Sequence, residues 1–197
     1  MHRAIEIIEE EHRNLWAVLF SLRALARELE RSNETPDFRV FHGLLTYLDS
    51  FLEFYHHPKE DMYLFPALCR RCSKAEKIVQ ELKDQHSQGA KLLNDLYRTL
   101  SRYEFQGSEA LRGFRDAVET YFEFERAHAM KEERELLPLA REHLTAVDWE
   151  PIDRAFSDHA DPLFGETPRS EYRMLLHRIA NLAPPPYGAG EAWKSSD

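Results

Sequence analysis

Glycine is scarce in this chain, 7 of 197 residues, which argues against an all-β fold stitched together by many tight turns. Two cysteines are too few to staple a fold of this size, so a reducing compartment, the cytoplasm, is expected. No apolar run approaches the roughly 18 residues of a membrane span, and residues 1–11 lack the apolar centre of a signal peptide. Basic charge is in deficit: 26 Lys and Arg against 35 Asp and Glu leave a formal net charge of −9. Neither nucleic acid nor an anionic membrane is therefore expected as a partner, since both need a basic face. Hydrophobic residues, at 43%, suffice for a core. The unusual feature is histidine, with ten copies.

Breakers divide the first three quarters into four long periodic segments. The first runs from about Arg3 to Arg31 and ends at Ser32-Asn33-Glu34. Thr35-Pro36-Asp37 has the form of a helix start, with a polar cap, Pro at the first helical position and an acid in the first turn. That second segment reaches about Arg71, and Ser73-Lys74-Ala75-Glu76 has the spacing of a capping box opening the third. The third fades at Phe105-Gln106-Gly107, and Ser108 caps the fourth, which reaches about His143. A shorter helix is expected after Thr145 and another after Thr167-Pro168, ahead of a flexible tail from Pro184 to Asp197. The expectation is an all-α, up-down-up-down four-helix bundle over residues 1–145, a helical extension packed on it over 146–183, and a tail over 184–197.

Each segment carries an apolar stripe at helical spacing, interrupted at one level. Segment one shows Ile5, Ile8, His12, Leu15, Leu19 and Leu22, and segment three Val79, Leu82, His86, Gly89, Leu93 and Leu96. Segment two carries Leu45, Leu48, Leu52, His56 and Glu60, and segment four Val118, Tyr121, Glu125, His128 and Glu132. The chain also repeats itself: His56 to Pro66 and His128 to Pro138 both read H-x-x-K-E-[D/E]-x-x-L-[F/L]-P, 72 positions apart, while His12 and His86 lie 74 apart. With short loops between antiparallel helices, the four histidines stand about 18–19 residues from their connections, roughly 27–29 Å at 1.5 Å per residue. They share one depth.

Residues four apart on a helix share a face, so His56 with Glu60, and His128 with Glu132, can address one centre. Burying two carboxylates without counter-charge would cost several kcal/mol each, and a metal pair supplies that charge. Imidazole and carboxylate without thiolate suit iron, and also manganese or zinc. The candidate metal ligands are His12, His56, Glu60, His86, His128 and Glu132, with Glu60 and Glu132 as bridges. A ferritin-like set is the alternative, because Glu53 and Glu125 stand three residues before His56 and His128. That class needs a Glu on each of the other helices, where His12 and His86 stand. Glu125 is kept as a candidate to orient His128.

From about Ile5 to His143 the chain resembles the hemerythrin-like family of HHE cation-binding domains. The resemblance rests on Glu11-His12-Arg13, on the two H-x-x-K-E blocks and on His86. It implies a non-haem di-iron centre that binds or reacts with dioxygen, nitric oxide or peroxide, with His12, His56, His86 and His128 as ligands. Repair of iron centres is a further role in this family. Iron storage or delivery, and a helical interaction module with a structural metal such as zinc, are the other readings. Whether the chain turns a substrate over, and whether it forms a homodimer, is left open.

The oxygen-carrying members have a fifth histidine, and none here lies on a stripe at the right level. His42 faces correctly but sits about 21 Å from His56 along the helix. His57 points elsewhere unless the Pro58 kink turns it inward. His159 lies in the extension and could fold back. Cys69-Arg70-Arg71-Cys72 is read as two ordinary cysteines near a helix end rather than a redox pair. Lys59 and Lys131 are expected to be solvated or paired with acids, and Glu9-Glu10-Glu11 to form an exposed face. Pro66 and Pro138 are expected to bend or end their helices.

Overall fold

The computed structural model describes residues 2–31, 36–157, 179 and 181 of the chain. Among these every regular element is helical. Helix α1 spans Arg3–Glu28. Helix α2 runs without a break over residues 38–71, and α3 spans Ala75–Gln106. Helix α4 covers 108–143, and α5 spans Ala146–Ser157. The architecture is the all-α bundle expected of the four periodic segments. The tail over 184–197, the helix after Thr167-Pro168, His159, and Ser32 to Thr35 lie outside the described residues.

The ends of the helices differ from the sequence expectation in local detail. Asp37 is itself the cap of α2 and accepts from the Arg39 N–H at 3.2 Å, so the helix begins at Phe38. The capping box at Ser73 does not form: α3 starts at Ala75 with no side-chain cap bond. Ser108 is the first residue of α4 rather than its cap. Gly107 alone joins α3 to α4, at φ 70°, a conformation that only glycine adopts without strain.

Pro58, Pro66 and Pro138 do not end their helices. Each stands two residues after a π-helical segment, respectively Leu52–His56, Glu60–Leu64 and Glu132–Leu136. A proline has no N–H and its ring collides with the carbonyl four residues back. The widened turn absorbs this: the N–H groups of His57, Phe65 and Leu137 reach back five residues, to the carbonyls of Leu52, Glu60 and Glu132.

The core is split in two. One apolar block contains Leu15, Leu19, Leu22, Leu48, Phe51, Leu52, Leu93, Phe114 and Phe122. The other contains Ile5, Ile8, Leu64, Phe65, Leu82, Leu136, Trp149, Ile152 and Phe156. Between them, on every long helix, lie the polar residues of the stripes.

Helix α5 closes the second block. Trp149 stacks on His2 with ring centroids 4.3 Å apart, and the Ala4 N–H donates to Asp153 at 2.7 Å. At its start the Thr145 N–H and hydroxyl both donate to Asp148, which also pairs with Arg71 at 2.8 Å. Arg71 and Thr145 together hold the Asp148 carboxyl far below the ordinary aspartate range. A carboxylate with a depressed folded pKa contributes stability that is complete above its unfolded value, about 3.9, and fades as the pH falls below it. Asp148→Asn should lower the melting temperature by a few degrees at pH 7, a cost of about 1 kcal/mol. The gap should narrow as the pH drops below about 4, and a gap independent of pH in thermal melts would contradict this account.

Candidate metal centre

Two carboxylates, Glu60 and Glu132, lie between the apolar blocks with 0% exposure. Around them stand His12 from α1, His56 from α2, His86 from α3 and His128 from α4, all buried. The six residues singled out in the sequence are thus brought together. His12 Nε2 is 3.2 Å from Glu132 Oε2, and His128 Nε2 is 3.3 Å from Glu132 Oε1. His56 Nε2 is 3.6 Å from Glu60 Oε1, and His86 Nε2 is 3.5 Å from Glu60 Oε2. Each carboxylate therefore turns one oxygen to each side of the site. Two groups result: Glu60, His86, His128 and Glu132 offer ligand atoms within 4.8 Å of one another, and so do His12, His56 and Glu132.

The outer nitrogens are all tied. His12 Nδ1 meets Glu133 at 2.9 Å, and His56 Nδ1 meets Glu11 at 2.9 Å. His86 Nδ1 meets Asp61 at 3.3 Å, and His128 Nδ1 meets Gln85 at 2.9 Å. These partners fix each ring so that Nε2 faces inward. Sequence reasoning missed all four, although each adjoins a singled-out residue: Glu11 and Gln85 precede His12 and His86, and Asp61 and Glu133 follow Glu60 and Glu132. Two expectations change as a result. Gln85, not Glu125, orients His128. Glu11 is wholly buried rather than part of an exposed acidic face.

The inward atoms show the opposite pattern. His12 Nε2, His86 Nε2, His128 Nε2 and all four oxygens of Glu60 and Glu132 are buried without an aligned hydrogen bond. Such orphaned groups are costly in a dry interior unless something else satisfies them. A convergent set of imidazole nitrogens and carboxylate oxygens, with no thiolate, fits divalent cations.

Charge in the metal-free site follows the same geometry. Burial disfavours a charged His12, but Glu132 and Glu133 outweigh it and hold its pKa at about 10. Burial likewise opposes charge on His86, while Asp61, Glu132 and Glu60 raise it to about 11. Burial lowers His128 to about 4, and it drives His57 well below the ordinary value, with His86, His56 and His128 adding to the effect. Burial opposes ionisation of Glu132 too, yet the imidazoles around it keep it ionised. Protons on His12 and His86 thus occupy the electrostatic place of the cations.

The model of the hemerythrin HHE cation-binding domain matches residues 3–140, most of the chain. The chain belongs to this family. It is also 22% identical to an uncharacterized protein of Mycobacterium bovis and to one of Mycobacterium tuberculosis, over 179 residues, covering 91% of this chain and 68% of each relative. As an HHE domain it is a metal-binding protein, and the convergent His and Glu groups are the candidate site. No helix among the described residues is long and apolar enough to cross a membrane.

Other residues named from the sequence fall outside the cluster. His42 pairs with Glu104 at 3.0 Å. Glu53 and Glu125, the ferritin-like candidates, belong to neither ligand group. Lys131 pairs with Glu81 and Glu135, whereas Lys59 is buried, 3.7 Å from Glu11 and over the Phe156 ring. Cys69 and Cys72 are free thiols, and burial raises the Cys69 pKa, opposite to the shift of a reactive thiol. His57 is the exception. It is buried and its ring stacks on His86 with centroids 3.9 Å apart, so the turn before Pro58 does bring it inward.

Glu125 lies one turn before His128, with Oε2 buried and without a hydrogen bond. Gly89 leaves room for it, since a Cβ there would lie 3.1 Å from Glu125 Oε1. Burial raises its pKa to about 7, and the charge of Glu132 adds to the effect. The folded state therefore holds this proton more tightly than the unfolded chain, and stability falls as the pH rises from about 4.5 through 7. In metal-free protein, Glu125→Gln should melt several degrees above the parent at pH 8 and close to it at pH 5. An equal difference at both pH values would refute a burial-driven proton.

Proposed function

We propose that the chain is a non-haem di-iron protein that binds or reacts with a small oxidant: dioxygen, nitric oxide or peroxide. The observation that carries this reading is the division of labour on the four histidines. Every Nδ1 is committed to an outer partner, and Nε2 atoms and carboxylate oxygens converge inward. His12 and His56 would hold one metal and His86 and His128 the other, with Glu60 and Glu132 shared between them. A ferrous pair supplies, when bound, the electrons for reducing such a ligand. Manganese or zinc would suit the same donors, and iron is the proposal.

The chain's own residues do the rest. Glu60 and Glu132 offer one oxygen to each side and would be shared by the two metals. Glu11 accepts from the His56 ring and lies beside Lys59 at 3.7 Å, a buried ammonium that offsets the carboxylate's charge. Phe51 and Phe65 stack against His56 and His86, respectively, and exclude water from either side of the layer. A site this dry admits a small, weakly polar molecule more readily than a charged metabolite.

Anaerobic loading with ferrous iron, followed by metal analysis and absorption spectra on exposure to oxygen, tests the reading. Two irons per chain with new ligand-to-metal bands are expected. Less than one metal per chain, or no bands, overturns it. Iron that chelators strip while the bundle stays folded would point instead to storage or delivery. A large loss of thermal stability on metal removal, without any redox change, would point to a structural metal.

Loading carries a second signature. Metal must displace the protons on His12 and His86, so adding ferrous ion at pH 7 in weak buffer should release protons. Apparent affinity should rise with pH. Uptake of metal without proton release would contradict the charge assignment.

A further inference from the structure

His57 is 5% exposed, and neither of its ring nitrogens has a hydrogen-bond partner. Glu53, one turn before it on the same helix, stays 3.9 Å from Nδ1. A neutral imidazole carries one donor and one acceptor, and burying both without partners costs stability. Evolutionarily cheaper occupants exist: position 129, its equivalent 72 residues on, is a buried Ala.

The local backbone brings this ring into the site. In the π-helical segment Leu52–His56 each residue advances less about the axis than the roughly 100° of an α-helix. Consecutive side chains therefore diverge less, and His56 and His57 both turn inward, their ring centroids 5.6 Å apart. His56 faces His12 at 5.1 Å, whereas His57 lies 3.9 Å from His86 and 5.4 Å from His128. The second half has Met130 in place of Pro58, and His128 there sits in regular α-helix. His57, His86 and His128 offer nitrogens within 4.8 Å of one another.

We propose that His57 supplies a further nitrogen ligand to the metal held by His86 and His128. The inference rests on the metal-pair reading above and deepens it: α2 serves both metals, through adjacent residues, and α4 has no equivalent. One cation satisfies an imidazole that the protein alone leaves without a partner.

Titration of the metal-free full chain with cobalt(II) tests this, because cobalt's visible spectrum reports its coordination number. His57→Phe keeps a stacked ring but removes the nitrogen, and His57→Gln keeps polarity. Wild type should take up two cobalt ions. In both variants one binding step should weaken at least tenfold with a changed spectrum, and the other should stay as it was. Metal-free His57→Phe should melt no lower than metal-free wild type, since it loses only a group without hydrogen bonds. Two unchanged steps with unchanged spectra would make His57 a stacked core residue and overturn the proposal alone. A wild type that binds no cobalt overturns both this and the metal-pair reading. A single ion that both variants lose would sustain His57 while overturning the pair.

Discussion

Two fully buried carboxylates, Glu60 and Glu132, set the terms for the rest of this molecule. A carboxylate taken out of water must be neutralised or it destabilises the fold by several kcal/mol. The bundle surrounds this pair with imidazoles and separates its apolar core into two blocks to make room for them. In metal-free protein the balance is met by protons, held on His12 by Glu132 and Glu133 and on His86 by Asp61, Glu132 and Glu60. Cations and protons compete for the same place. The outer ring of Glu11, Asp61, Gln85 and Glu133 then has a definite job: it prevents the imidazoles from turning their Nδ1 atoms inward and satisfying themselves locally.

The three prolines near the site belong to the same solution. Two of the π-helical segments begin at Glu60 and Glu132 themselves, and the third ends at His56. A regular α-helix entering an interior proline would lose a hydrogen bond and kink. A widened turn keeps the backbone paired and lets the helix continue, so α2 and α4 run on past the site into the second apolar block. Leu64, Phe65, Leu136 and Leu137 are buried there. The helices therefore grip the site from both ends.

Much of this was legible in the sequence, and for a physical reason. A stripe that is apolar except at one level must place its polar residues against one another, so His12, His56, His86 and His128 could be assigned to one layer from periodicity and loop positions alone. The H-x-x-K-E repeat gave the two carboxylates. What periodicity could not show was anything depending on a departure from the α-helical turn. His57 is one residue off the stripe and belongs in the site only because the turn before Pro58 is wide. Nor could it show hydrogen-bond partners beside the stripe: Glu11 read as one of three exposed acids, because charge runs at helix starts are usually solvated. Caps failed for a similar reason. The Ser73 spacing matches a capping box, but the chain reaches α3 through the turn after Cys72, and the helix starts one residue late.

The internal repeat also shows where the two halves have diverged. Glu11 in the first half corresponds to Gln85 in the second, and Lys59 to Lys131. The first pair is a buried carboxylate beside a buried ammonium, 3.7 Å apart. In the second pair the amide is neutral, and Lys131 pairs outward with Glu81 and Glu135. A carboxylate behind His56 makes that imidazole a stronger donor than an amide makes His128. Lys59 also lies over Phe156 of α5, so the helix that follows the bundle touches the same chain of contacts, from Lys59 through Glu11 to His56. The two sides of the layer are thus similar in geometry and unequal in charge. The two halves of the repeat differ at Glu11 and His57 and in the surroundings of Lys59 and Lys131.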